Sequence, residues 1–503
     1  MSYRSDLSIS RRKFLAQSSF LAVSSSLTGK LRALQGTLST AGLDMPSKSP
    51  GPYQPTWDSI RTNYHYPEWF RDAKFGIFLH WGIYSVPAHG SEWYAAHMYG
   101  YPATVQWHTE HFGPPDKFGY KDFIPMFKAE KWDPEHWAEL FKQAGAEYVM
   151  PTAIHHDGFA LWDSNVIPWN AVKMGPHRDI VGDLGKAVRS QGLKYGISNH
   201  FMEHFNFIRP LPGLKTALYD PQWAGFYSVA DRSPAARQRF LDTWIATNKE
   251  LIDKYEPETL YFDNAVNPRP LDSQKLEVAA YYYNRATEWK KDVTILTKDS
   301  AYLAGSIKDY ERQERAPLTL QPDPWECDDS VGHRWGYLTN DNYWQVSTIV
   351  TRLVENVSRN GNLLLNFGPK PDGTFKPVQE DLMKGIGAWL KVNGDAIYKT
   401  RPWIKFGEGE SVNGRPPYTG SDIRFTTKGD VLYAILMAWS GEHAAIRSLA
   451  SNQNLQGKVK RVELLGHEGH LRFAQNSHGL TVNMPSEQPC QYTFCLKISG
   501  LKI

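Results

Sequence analysis

The chain has 503 residues, a formal net charge of only +3, and 18 Trp, 26 Tyr and 23 Phe. It is too long for one ordinary domain and long enough for a barrel-sized unit plus a smaller one. The near-neutral balance, with no long basic run in the body of the chain, argues against nucleic acid and anionic membrane as partners, and three cysteines, Cys327, Cys490 and Cys495, cannot make a disulfide framework and are expected as free thiols.

The first segment, SRRKFL from Ser10 to Leu15, runs into a modest Ala- and Ser-rich apolar stretch. Residues 1–35 therefore read as a twin-arginine export signal, which implies a periplasmic or extracellular protein. Residues 36–55 read as a Ser-, Gly- and Pro-rich linker. The apolar stretch is too short and too polar to span a bilayer, and nothing later approaches about 18 uninterrupted apolar residues.

From residue 56 one pattern recurs: an amphipathic helix, a glycine stop, a short apolar strand, then polar residues. KFGIFLHWG reads as a strand ending at His80 and Trp81. Asp133 caps a helix whose Trp137, Leu140, Phe141 and Ala144 share one stripe and which stops at Gly145. The strand YVMPTA follows and runs into His155, His156 and Asp157. A helix carrying Val181, Leu184, Ala187 and Val188 feeds the strand LKYGIS, which ends at Asn199 and His200. A longer helix, with Leu241, Trp244, Ile245, Leu251 and Ile252, precedes TLYF, which ends at Asp263. Two later units supply the strands VTILT and NLLLNF. Six strands alternating with helical connections predict a degenerate (β/α)8 barrel over 56–400. No GxGxxG or Walker loop opens a helix, which weakens a nucleotide-binding sheet. From about residue 401 short alternating segments such as DVLYAILMAW, KVKRVELLG, GLTVNM and CQYTFCLKI predict a β-sandwich over 401–503.

In a β/α barrel the strand C-termini share one rim, so His80, His155, His156, His200 and Asp263 are expected in one site. A carboxylate directly after Leu260, Tyr261 and Phe262 has no helical or turn role to play. Two rival readings stand beside a hydrolase that uses carboxylates. A histidine-rich rim also suits a metal-dependent barrel hydrolase, although HExxH and an HxH at the first strand are absent and adjacent His155 and His156 point to opposite faces in strand geometry. A catalytically inactive sugar-binding barrel is the other.

Several segments together resemble the α-L-fucosidases of glycoside hydrolase family 29: WFRDAKFGIFLHWGIYSVPAHGSEWYAAHMY, AGAEYVMPTAIHHDGFALWDS, GLKYGISNHFMEH, YEPETLYFDN, WECDDSVGHRWGY and NVSRNGNLLLNFGPKPDG, in that order over roughly residues 60–400. The resemblance implies an exo-acting retaining enzyme that removes terminal α-L-fucosyl residues from oligosaccharides or glycoconjugates by double displacement, with no metal or organic cofactor. It places Asp263 as nucleophile and His80, Glu92, Trp93, His155, His156 and Trp335 as fucose contacts, with His200 as an extra one. It gives two choices of acid/base, Glu314 first and Glu326 second, with Glu311 a remote third. An arginine contact in some members falls near Lys298, and no role is carried over to that lysine. A homo-oligomer is compatible with the sequence, which does not fix linkage preference.

Overall fold

The computed structural model describes residues 51–503 apart from 267, 268, 299, 412–415 and 454–456. The twin-arginine segment and most of the expected linker lie outside the described residues.

Eight parallel strands close into a barrel: β1 Phe75–Leu79, β2 Tyr148–Ile154, β3 Lys194–Asn199, β4 Thr259–Phe262, β5 Thr294–Lys298, β6 Ser306–Asp309, β7 Trp325–Ser330 and β8 Gly361–Phe367, with β8 pairing back onto β1. Alternation along each strand sorts the side chains. In β4, Leu260 and Phe262 pack outward into the helical layer, while Tyr261 joins Phe78, Tyr148, Met150, Leu296 and Leu364 inside the barrel. The next inward position after Tyr261 is Asp263, so the strand's period carries that carboxylate to the rim. The same alternation takes β1 from Phe78 to His80. Small residues admit the large interior rings: a Cβ on Gly76 would lie 2.4 Å from the Tyr148 ring.

The six predicted strands are present as β1 to β5 and β8. β6 and β7 were not among them: β6 is only four residues long and faces Ile307 and Asp309 inward, and the inward positions of β7 are acidic. β7 is WECDDS, fully buried, and points Glu326 and Asp328 into the barrel. Tyr261 Oη donates to Asp309 Oδ2 and Asp328 Oδ2, both at 3.1 Å, and Tyr148 Oη donates to Glu326 Oε2 at 2.5 Å. A polar network thus does inside these two strands what valine and leucine do elsewhere, and hydropathy alone misses it.

The chain leaves the barrel through the helix Pro377–Asn393 and enters antiparallel structure at Arg401. β9 Arg401–Glu408, β10 Ile423–Lys428, β11 Val431–Leu436, β13 Gly457–Leu464 and β16 Phe494–Leu501 form one sheet in the order β13-β16-β11-β10-β9. β12 His443–Ile446, β14 Phe473–Asn476 and β15 Gly479–Asn483 form a second, in the order β12-β15-β14. Ile423, Phe425, Leu432, Ala434 and Leu496 from the first sheet share a core with Ile446, Leu480 and Val482 from the second. All three cysteines are free. No helix among the described residues is long and apolar enough to cross a membrane.

Candidate active site

The C-terminal ends of the strands bring His80, His155, His156, His200, Asp263 and Lys298 to one pocket. Asp263 Oδ2 lies 3.5 Å from His156 Nε2 and 3.5 Å from His200 Nδ1, and its Oδ1 lies 3.1 Å from Lys298 Nζ. The carboxylate is 14% exposed, enough for a ligand to reach it. Burial alone would raise its pKa, but the Lys298 ammonium, supported by the Asn264 backbone N–H, outweighs burial and holds the carboxyl well below its ordinary range. Lys298 is surrounded in turn: Glu311 Oε2 lies 2.9 Å and Asp328 Oδ2 3.4 Å from Nζ. Burial would lower the lysine, yet Asp263, Asp328 and Glu311 raise it well above its usual value, so it stays charged.

The histidines are oriented from behind. Asn366 Nδ2 donates to the Trp335 carbonyl at 2.7 Å, so its Oδ1 is the acceptor that faces His80 Nδ1 at 2.8 Å. His80 Nδ1 therefore carries the proton, and Nε2 faces the pocket as an acceptor. His156 Nδ1 is likewise held 2.9 Å from the His200 carbonyl. Burial pushes the His80 imidazole down to about 3 and those of His155 and His200 well below the usual value, so these rings are neutral. His155 Nδ1 and His200 Nε2 are buried without a hydrogen-bond partner, and such groups are rare unless a ligand completes them.

The expectation that His155 and His156 point apart is corrected here. β2 ends at Ile154 and the chain turns, Gly158 N donating to His155 O at 3.1 Å, so the two rings lie 4.2 Å apart, both toward the pocket. Trp335 forms a wall, its ring 5.2 Å from that of His80, with Arg312 stacked 4.7 Å away on it. Glu92 Oε2 accepts from Trp335 N at 3.1 Å and from Gly336 N at 3.3 Å, fixing the turn that presents that wall. Trp93 stands at the pocket mouth, 39% exposed, its ring 5.3 Å from that of His156.

The three glutamates fall at different places. Glu326 is fully buried against Tyr148 on the barrel floor, four residues before Ser330 and so roughly 13 Å below the rim. Glu314 lies on the loop after β6, in the short helical turn Gln313–Arg315, 69% exposed and 3.5 Å from Arg352 Nη2. Glu311 lies nearest Asp263. Through their shared Lys298 the closest oxygens of the two carboxylates are at most about 6 Å apart, near the spacing of retaining glycosidases. Lys298 is the residue that the sequence left without a role. Its position immediately after TILT, at a strand end like those of the histidines, was the available signal.

Ring nitrogens of His80, His155 and His200, and a second set from His156, His200 and Asp263, each lie within 4.8 Å of one another, a spacing that also suits a metal. At Asp263, however, a lysine ammonium already supplies the positive charge.

The family model described as Alpha-L-fucosidase matches residues 43–395, and that of the Alpha-L-fucosidase C-terminal domain matches residues 417–499. Tissue alpha-L-fucosidase of Bos taurus is 33% identical, over 90% of this chain and 92% of its own length. Alpha-L-fucosidase of Branchiostoma floridae is 33% identical, over 89% of this chain and 96% of its own. Among solved structures, Thermotoga maritima alpha-fucosidase in complex with a mechanism based inhibitor superimposes with a TM-score of 0.74 at 32% identity, covering 89% of this chain and 100% of that one. The chain belongs to the α-L-fucosidase family.

Proposed function

We propose that this protein is an exo-acting retaining α-L-fucosidase in which Asp263 is the nucleophile and Glu314 the acid/base. The observation that carries the reading is Asp263 itself: an ionised, ligand-accessible carboxylate held by Lys298 at 3.1 Å in a pocket of imidazoles with unpartnered nitrogens. Fucose has three ring hydroxyls that need donors and acceptors and a methyl group that needs an apolar wall. His80, His155, His156 and His200 supply the first, and Trp335 with Trp93 the second. Thermotoga maritima alpha-fucosidase, described in complex with fucose, supports the same ligand here.

Asp263 attacks the anomeric carbon as the bond to the leaving oxygen breaks, and the acid/base gives its proton to that oxygen. A fucosyl ester on Asp263 results. A water molecule then loses its proton to the same acid/base and attacks the anomeric carbon, breaking its bond to the Asp263 oxygen and releasing fucose with its original configuration. Glu311 is closest, but its Oε2 is already engaged by Lys298 Nζ at 2.9 Å. Glu326 is too deep. Glu314 stands on an exposed loop, its Oε1 a longer 3.5 Å from Arg352 Nη2, and its role requires the Gln313–Arg315 turn to carry it over the pocket once the fucoside is bound. The segment around Arg11 and Arg12 supports export by the twin-arginine route.

Azide rescue tests both assignments. D263A is expected to lose roughly four orders of magnitude in kcat/KM and, with azide, to give the β-L-fucosyl azide. E314A is expected to lose about 10²- to 10⁴-fold on natural glycosides, much less on an activated aryl fucoside, and to give the α-L-fucosyl azide. If E311A rather than E314A gives that product, Glu311 is the acid/base.

A further inference from the structure

One helix carries a line of rings out of the pocket. Helix Tyr94–Gly100 is capped by Trp93 at its start and Tyr101 at its end. Backbone bonds join the line itself: His97 N donates to Trp93 O and Tyr101 N to His97 O, both at 3.0 Å. Trp93, His97 and Tyr101 therefore stand at successive four-residue steps on one face. The opposite face holds Tyr94, Ala95, Met98 and Tyr99, all buried, so the helix is seated and the line faces outward. Its inner end is the catalytic pocket, where the Trp93 ring touches those of His156 and Phe207, at 5.3 and 5.2 Å. The His97 ring follows at 6.3 Å from Trp93, and Tyr101 lies 4.4 Å beyond it and is 59% exposed. The loop after β3 braces the outer end, since Leu211 N donates to Tyr99 O at 2.9 Å and a Cβ on Gly100 would meet Arg209 O at 2.8 Å.

A single exposed tyrosine needs no explanation. Three rings in helical register, starting beside the imidazole that faces Asp263 and rising about 12 Å along the helix, form a track longer than fucose alone occupies. We infer that His97 and Tyr101, packed edge to face at 4.4 Å, form one leaving-group subsite whose exposed Tyr101 ring stacks the apolar face of a pyranose to which fucose is attached, so that the leaving-group sugars add binding that a small fucoside lacks. Stacking suits this task because each sugar offers a flat CH-rich face while its hydroxyls remain in water. This inference rests on the fucosidase reading and adds the residues that hold the leaving group.

The experiment compares kcat/KM on an aryl α-L-fucoside with kcat/KM on a fucosylated tetrasaccharide for the parent, H97A, Y101A, Y101F and the H97A/Y101A double variant. Y101A is expected to leave the aryl substrate within twofold and to lower the tetrasaccharide value by about three- to tenfold, mostly through KM. The double variant is expected to lose more, and Y101F, which keeps the ring, to retain the parent ratio. A ratio unchanged in the double variant overturns the subsite. An equal fall on both substrates also overturns it, because such a fall marks a structural role. Failure of the fucosidase reading shows separately, as a parent that turns over neither substrate.

Discussion

Two clusters of buried charge in this molecule are built to opposite ends. At the seam between barrel and sandwich, Glu355 on helix Val346–Ser358 accepts from Arg424 Nε at 2.9 Å and Nη2 at 2.7 Å and from Arg359 on its other oxygen, while backbone carbonyls of Ile423 and Ser411 take the remaining Arg424 donors. At the rim, Asp263 and Lys298 are also paired, but His155 Nδ1 and His200 Nε2 have no hydrogen-bond partner and one carboxylate faces the opening. At the seam the protein itself engages both oxygens of Glu355 and ties helix Val346–Ser358 to the sandwich. The rim is left incomplete, as the proposed fucose site requires. A buried polar cluster is thus structural or functional according to whether the protein itself satisfies it.

Breaking the seam should have the largest effect on stability. E355A leaves the Arg424 guanidinium buried without its carboxylate and is expected to cost about 3–5 kcal/mol. Thermal unfolding should fall by many degrees, while kcat/KM of the folded fraction stays near the parent's.

Breaking the rim should act chiefly on turnover. K298M is expected to lower kcat/KM of the folded fraction about 100-fold, or about 2.7 kcal/mol. Without the ammonium, the Asp263 pKa rises toward the ordinary carboxylate value, so the acid limb of the pH profile moves to higher pH, and K298R should restore part of both. An unmoved acid limb would mean that Lys298 does not tune the nucleophile.

The imidazoles sharpen the contrast through pH. Burial holds His80 at about 3 and His204 at about 4, both below the roughly 6.5 of an unfolded chain. Below about pH 6.5 the unfolded state gains protons that the native state does not, so stability falls as pH drops toward the native values. Each such ring can contribute up to about 2 kcal/mol at pH 5. The unfolding temperature should be lower at pH 5 than at pH 7, and H204N should narrow that gap; an unchanged gap would show that His204 titrates normally.

The smallest effect is expected at Glu326. Burial raises its pKa, so it is protonated on the barrel floor and resembles glutamine in shape and charge. E326Q should keep kcat/KM within a fewfold on natural fucosides, whereas a loss of 100-fold or more would make Glu326 the acid/base.

Much of this arrangement was legible in the sequence. Greasy strands ending in His80, His155, His200 and Asp263 announce a barrel rim, because strand period and parallel pairing together send those side chains to one face. β6 and β7 were illegible for the opposite reason: Asp309, Glu326 and Asp328 face inward and are satisfied by Tyr261, Tyr148 and Lys298, partners far away in sequence. The convergence of His155 and His156 depended on where β2 ends, one residue before the pair, which periodicity does not resolve. The placement of Glu311 against Lys298 required the barrel to close, since β5 and the loop after β6 meet only through strand pairing.

Covalent trapping tests the assignment of Asp263 most directly. The protein would be incubated with 2-deoxy-2-fluoro-α-L-fucosyl fluoride, whose fluorine slows release of the glycosyl ester, then digested and mapped by mass spectrometry. One fluorofucosyl group on the peptide that contains Asp263, absent after competition with excess fucose, is the expected result. A label on a different carboxylate, or turnover of natural fucosides by a protein that forms no adduct, would contradict it.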